Sequence, residues 1–306
     1  MLVDVVGRKW WYFALSGALI VPGLIFILIG GLKPGIEFQG GTLIDLRFES
    51  TPDVVAVRTV FADQGHAESV VQGADGNRVV VRTIKIEAEE IAKLQRSLEE
   101  RFGAALRDAS SSAVSASFSV ELLRNAFASI AAASVLIVFL IAFAFRNFGW
   151  SAFVYGFAAI VALLHDAAVV LGLWAILGFI FGIEVDSLFV TALLTIIGFS
   201  VHDTIVVFDR IRENLRLNPG EPLNAVINFS IMQTIARSVN TSLTVLLTLL
   251  ALFFFGGYSV RNFALALLVG VISGTYSSIF NASQLVSLWQ ELRDDRRRRR
   301  LERAPA

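Results

Sequence analysis

Apolar residues run along this chain in long unbroken blocks, not in the short alternations of a soluble core. A helix that crosses a bilayer needs about 20 mostly apolar residues. Six blocks reach that length: Trp10–Gly31, Ala126–Phe145, a third from about Trp150 to Phe181, then about Leu188–Phe208, Thr234–Phe255 and Asn262–Trp289. The pattern predicts six membrane-spanning helices. The first block follows Arg8 and Lys9, a flank that signal peptides and anchors share. Its length, and its ending in Gly-Gly-Leu-Lys-Pro-Gly without a small-x-small cleavage site, favour a retained anchor.

Between the first two blocks, over 32–122, the pattern changes. Thr42–Phe48 alternates as a half-buried strand does. Thr51-Pro52-Asp53 has helix-start chemistry and opens a helix to about Asp63. Glu68–Gln72 and Arg78–Thr83 read as strands around Ala74-Asp75-Gly76-Asn77, a hairpin signal. Glu87–Phe102 is an amphipathic helix, and Ser112–Ser119 is the expected closing strand. The order β-α-β-β-α-β is that of a ferredoxin-like fold. His66, beside Gly65 in a polar turn, is expected in solvent, and no residue set in this segment has a catalytic pattern.

Composition agrees with that division. The 306 residues are 55% hydrophobic and 17% charged, against about 25% charged in soluble domains. Charge gathers in 45–110 and in the last fifteen residues. The expected fold is therefore an α-helical polytopic membrane protein with a small external α+β domain: a first span over 1–31, the domain over 32–122, five spans over 123–290 and a basic tail over 291–306. With no cysteine, disulfides and thiolate metal sites are excluded. Nothing in the sequence calls for a cofactor, a metal or nucleic acid. There is no nucleotide-binding loop and no nucleophile–base set, which argues against an enzyme.

Basic residues near span ends set orientation. Arg8, Lys9, Arg146, Arg210, Arg212, Arg216 and the run Arg296–Arg300 all fall on one side, while Gly182–Ser187 on the other has Glu184 and Asp186 and no base. Both termini are thus expected in the cytoplasm and 32–122 outside. The arginine run reads as a topology anchor beside anionic membrane lipids or as a docking site.

The polar residues inside the spans carry the functional signal. His165-Asp166 lies near the middle of the third span and His202-Asp203 in the cytoplasmic half of the fourth. Arg237 opens the fifth span, and Asn240, Thr241, Thr244 and Thr248 follow it at helical spacing. Gly270, Ser273, Gly274, Ser277, Asn281 and Gln284 form a similar small-residue stripe in the sixth, of the kind that lets helices approach closely. A charge at the bilayer centre costs about 2.5–3.5 kcal/mol on insertion scales, so two aspartates and an arginine there need a reason. One reason is a proton or ion path: a low-dielectric site favours the neutral carboxyl and a nearby guanidinium the charged one, so movement between them couples protonation to shape. A buried Asp203–Arg237 pair that fixes packing is a second, and an Arg237 that snorkels to the surface a third. Adjacent residues lie about 100° apart on a helix, so His165 and His202 need not share a groove with their aspartates.

These residues also resemble a known family. Ile197–Asn214 (IGFSVHDTIVVFDRIREN) is similar to the fourth-span signature of the SecF branch of the SecD/SecF family of bacterial Sec translocation membrane subunits. Gly35–Thr42 (GIEFQGGT) is similar to the Gly-rich entry to that family's first external domain, and Leu163–Gly172 (LLHDAAVVLG) to its third-span motif. Arg237–Ser242 (RSVNTS) and Gly256–Phe263 (GGYSVRNF) match its fifth-span start and the turn into the sixth. The likeness covers nearly the whole chain, in order. It implies half of an RND-like arrangement, paired with SecD, that works with the SecYEG channel and uses the proton-motive force to help a translocating pre-protein emerge from the bacterial plasma membrane. It implies proton-transport roles for Asp203, Arg237 and, at the family's His-Asp aspartate, Asp166, and leaves His202, His165, Asn240 and Thr241 as modifiers. Position 202 departs from the family, where Asn is usual. Two competing classes are an RND-like proton-coupled exporter subunit, for which 32–122 is short, and a scaffold subunit that conducts nothing.

Overall fold

The computed structural model describes residues 4–302 except 52, 75–76, 85 and 147–150. The chain divides into two compact units: a helical one comprising Met1–Lys33, Ser129–Ile183 and Leu188–Ala306, and an α/β one comprising Pro34–Ala128 with Glu184–Ser187.

The first long helix, α1, is Lys9–Ile29. The α/β unit then begins with a single turn, α2 (Ile36–Gln39), followed by β1 (Gly41–Phe48), α3 (Val54–Asp63), β2 (Val70–Ala74), β3 (Arg78–Thr83), α4 (Ala88–Phe102) and β4 (Leu106–Val114). The glycines between α2 and β1 have φ of 77° at Gly40 and 136° at Gly41, values that L side chains rarely adopt. A Cβ on Gly41 would also lie 2.6 Å from the Thr83 carbonyl oxygen. The Gly-Gly pair is what lets the chain turn into the sheet at this point.

The sheet is antiparallel throughout, in the order β2-β3-β1-β4, which is the ferredoxin-like arrangement. Alternate positions of β1 and β3 (Ile44, Leu46, Val79, Val81) meet Val57 and Phe61 of α3 and Leu94 and Leu98 of α4 in one buried core. Asp53 caps α3 by accepting from the Val55 amide at 2.9 Å; Pro52, part of the same start signal, lies outside the described residues, as do Asp75 and Gly76 of the hairpin. The hairpin itself forms, with Ala74 opposite Arg78.

Two expectations for this unit are overturned. The closing strand is Leu106–Val114 rather than Ser112–Ser119, and Ala116 already starts the next helix. The strand was hidden because β4 is an edge strand exposed along most of its length, so Leu-Arg-Asp-Ala-Ser-Ser-Ser has no apolar alternation. His66 is not in solvent but 5% exposed, its Nε2 3.1 Å from Glu90 Oε1 on α4. Gly65, at φ +88°, turns the chain back so that the His66 amide donates to the Phe61 carbonyl.

The remaining helices are α5 (Ala116–Phe145), α6 (Ser151–Phe181), α7 (Ser187–Leu217), α8 (Leu223–Phe255), α9 (Tyr258–Tyr276) and α10 (Ser283–Glu302). α9 and α10 are joined without a break by a π-helical segment, Ser277–Ala282. Among the described residues six helical stretches are long and apolar enough to cross a membrane. Several outrun the apolar blocks: α7 continues past Asp209-Arg210, and α8 starts well before Thr234. Helical geometry persists there because the extensions bond one another, Asn214 Nδ2 donating to Ser230 Oγ at 2.8 Å.

Within the helical unit α7 and the α9–α10 stretch are the most buried, whereas α1, α5 and α8 keep most of their surface outward. The seam between α1 and α6 closes at Gly23 and Gly172, whose backbones touch so closely that a Cβ on either would meet the other's Cα. Small residues admit such contact between membrane helices, where no hydrophobic force pulls them together.

Candidate functional site

Asp166 lies in the middle of α6, 1% exposed, and is the centre of a hydrogen-bonded node. Its Oδ1 accepts from Ser273 Oγ at 2.8 Å and lies 3.0 Å from His165 Nδ1. Its Oδ2 accepts from Ser200 Oγ at 2.5 Å and Ser277 Oγ at 2.7 Å. A carboxylate only accepts, so His165 Nδ1 donates to Asp166. Ser16 Oγ of α1 stands 2.9 Å from His165 Nε2 and accepts from Asn281 Nδ2 at 2.8 Å. One buried carboxylate thus joins α6, α7, α9 and the π-helical segment, and reaches α1 through its neighbouring histidine.

The sequence stripe of the sixth span builds half of this node. Ser273, Ser277 and Asn281 succeed one another on one face and all turn inward. Gly270 and Gly274 bring that face against Ile196 and Ser200 of α7, with no room for a side chain at Gly270. Beside the node, Ser278 Oγ donates to the Ser200 carbonyl at 3.0 Å and shares a 2.8 Å bond with Thr204 Oγ1.

Asp203, one helical turn beyond Ser200, is also buried at 3% exposure. It has no such shell: its Oδ2 is buried without a hydrogen-bond partner among the described residues. The basic side chains whose charge acts on it are His202 and Arg237. Both are exposed on the surface of the helical unit, and among the described residues Asp203 and Arg237 form no ion pair within 4.0 Å. The buried Asp203–Arg237 pair considered from sequence therefore does not form. The reason is helix facing: α8 turns Thr234, Ser238 and Ser242 inward, with Ser242 Oγ 2.5 Å from Thr275 Oγ1 of α9, which leaves Arg237 outward.

The whole Arg237 stripe shares that outward face. Asn240, Thr241, Thr244 and Thr248 are exposed. The threonines satisfy their hydroxyls on their own helix, Thr241 on the Arg237 carbonyl at 3.0 Å, Thr244 on Thr241 at 2.7 Å and Thr248 on Thr244 at 3.1 Å. Arg237 and Asn240 have no such bond among the described residues.

The structure therefore brings Asp166 and His165 together and places Asp203 beside the His202 and Arg237 stripe, as two distinct neighbourhoods. Sequence reading missed Ser16 and Tyr276. Tyr276 donates to the Tyr12 carbonyl at 2.7 Å and so ties the start of the π-helical segment to α1. The one available signal for Ser16 was a lone hydroxyl in an apolar span. Among the described residues no three His, Asp or Glu side chains gather as a metal site.

Residues 94–292 match the family "Protein export membrane protein SecD/SecF, C-terminal", and residues 25–52 match the "SecD/SecF GG Motif". The second match contains the Gly40-Gly41 turn. The protein translocase subunit SecF of Thermobaculum terrenum is 46% identical over 301 residues, covering 94% of each chain. The protein translocase subunit SecDF of Bacillus subtilis is 34% identical over 300 residues, 95% of this chain and 39% of that protein. The crystal structure of SecDF from Thermus thermophilus, described as a translocon-associated membrane protein, superposes with a TM-score of 0.84 at 34% identity. It covers 95% of this chain, which spans 39% of the longer one.

Proposed function

The chain belongs to the SecD/SecF family of protein-export membrane proteins, and from that membership we propose that it carries protons between Asp203 and a partner subunit to drive protein translocation. It is a multi-pass membrane protein and a SecF-type translocase subunit. The partner is SecD, which in relatives such as the Bacillus subtilis SecDF shares a chain with the matching region. The pair assists the SecYEG channel as a pre-protein emerges. Both termini lie in the cytoplasm, as the basic residues at the span ends favour, and the α/β unit lies outside.

The observation that carries this reading is a buried carboxylate with an unspent oxygen, next to a polar stripe that faces outward. Among the described residues Asp203 Oδ2 has no donor, so it is open to a proton or a water. Arg237 and Asn240 would face hydrocarbon in an isolated chain, which is costly for a guanidinium. Covered by SecD, the same stripe lines a polar seam that reaches Asp203. Arg237 acts on the carboxylate by its field rather than by contact, so a small movement of α8 against α7 changes the interaction without breaking a bond. His202, exposed beside Asp203, places an imidazole where the family usually has an amide. One charge crossing 100 mV yields about 2.3 kcal/mol, enough for a few protons to displace modest contacts.

Asp166 takes a different part. Its four donors hold it as a fixed acceptor, so a proton there would have to displace a hydroxyl and loosen α7 and α9 from α6. It anchors the bundle against which the Asp203 region moves, with His165 as the link to α1.

The test is proton flux and pre-protein export in vesicles that contain this chain with SecD. Asp203→Asn and Arg237→Ala are expected to remove flux and the potential-dependent part of export while leaving the complex assembled. Wild-type flux in both variants would overturn the reading. Export that survives the loss of flux would assign the chain to a scaffold role.

A further inference from the structure

The end of the helical unit that carries the N-terminus has an apolar groove of about 730 Å³ between α6, α8 and α10. Phe153 and Phe157 of α6 form one wall, and Val286 and Trp289 of α10 the other, with Gln290 and Arg293 also lining it. A second apolar slot of about 190 Å³ is lined in part by the same residues, including Phe157 and Trp289, and continues between the two helices. The walls of the two spaces are mostly apolar, and the groove is polar where Gln290 and Arg293 line it.

Charge distinguishes this groove from the ordinary lipid-facing gaps of a bundle. Several cations on the same end are paired, Lys9 with Glu291, Arg210 with Glu213, Arg212 with Asp209 and Arg299 with Asp295, and those left unpaired among the described residues, such as Arg8, Arg296 and Arg298, do not line the groove. Arg293 is exposed and has no ion-pair partner among the described residues. It lies one turn beyond Trp289, and tryptophan favours the membrane–water boundary, so its guanidinium reaches headgroup depth. The arginine run that follows adds positive potential. Asp294 opposes it in part, but that carboxylate is engaged by the Gln290 amide at 3.2 Å.

We propose that this groove binds an anionic phospholipid, with an acyl chain held between the Phe157 and Trp289 walls and the phosphate on Arg293. An unpaired guanidinium beside an apolar slot is complementary to a molecule that joins a phosphate to a hydrocarbon chain. A free phosphate would leave the slot unused, and a zwitterionic lipid would bring its own cation to Arg293. The proposal requires only that the chain sits in a membrane and is independent of proton transport.

Native mass spectrometry of the purified full chain tests it, counting retained phosphatidylglycerol against phosphatidylethanolamine with identical acyl chains. The wild type should retain phosphatidylglycerol preferentially. Arg293→Gln should weaken that binding about fivefold, the scale expected for one basic residue at an anionic surface, and leave phosphatidylethanolamine unchanged. Phe157→Ala, in an exposed wall residue, should weaken both lipids. The double variant Arg298→Gln, Arg299→Gln on the tail should keep the preference. Equal retention of the two lipids by the wild type, an Arg293→Gln variant that binds as well as wild type, or loss of the preference in the tail variant would each overturn the proposal. So would competition by soluble glycerol phosphate as effective as that by the lipid.

Discussion

His165-Asp166 on α6 and His202-Asp203 on α7 are the same dipeptide in two membrane helices, each following an aliphatic residue. Both aspartates are buried. Around Asp166 the histidine turns in, and three serines from α7, α9 and the π-helical segment close on the carboxylate. Around Asp203 the histidine turns out, and one carboxylate oxygen is left without a donor. A buried carboxylate with a complete donor shell is a structural node, because removing it strands every donor at once. One with an incomplete shell is costly to keep ionised and is available for chemistry. Identical local sequence thus yields an anchor in one helix and a candidate carrier in the other.

The sharpest way to break this contrast is Asp166→Ala. It removes the acceptor of Ser200, Ser273 and His165 and leaves Ser277 only the Gly274 carbonyl, and each buried unpartnered group costs about 1–3 kcal/mol. Allowing for relaxation, a loss of about 3 kcal/mol or more is expected, read as a fall in the unfolding midpoint in detergent. Gly172→Val should come next, at about 2 kcal/mol, because its side chain forces α6 from α1 at Gly23. It should disturb the Ser16–His165 contact and spare Asp203, so export should fall with stability rather than independently of it.

Ser16→Ala removes one bond to His165 and one from Asn281, for about 1 kcal/mol. Unlike Asp166→Ala, it should leave the three serines on the carboxylate, and the same thermal assay separates the two. Asp203→Asn should have the smallest effect on stability and should not destabilise, since it neutralises a buried carboxylate whose Oδ2 has no donor among the described residues, together with the largest effect on proton flux. A destabilisation by Asp203→Asn as large as that by Asp166→Ala would erase the distinction between the two sites.

Much of this architecture was legible along the chain. The six apolar blocks mark the six helical stretches, since bilayer thickness demands length and apolarity, and both are properties of a single segment. The β-α-β-β-α-β order was also local, carried by alternation in Thr42–Phe48, by the hairpin signal between Glu68–Gln72 and Arg78–Thr83 and by the capping Asp53. β4 escaped because an exposed edge strand has no buried face to impose a pattern. His66 escaped because Gly65 folds it under α4, a helix that starts over twenty residues later. The outward stripe of α8 could be recognised as a stripe, but whether it faced in or out could not.

The sequence alone determined that the chain carries two His-Asp dipeptides within apolar spans, a polar stripe headed by Arg237 and a small-residue face in the last span. Which aspartate is held and which is open was decided only by the tertiary structure. Ser200, Ser273 and Ser277 lie on helices distant in sequence from Asp166, and Ser16 lies on the first. They converge because glycines at 23, 172, 270 and 274 let those helices touch. A hydrogen-bond shell is a property of that convergence, so the dipeptide alone could not specify it.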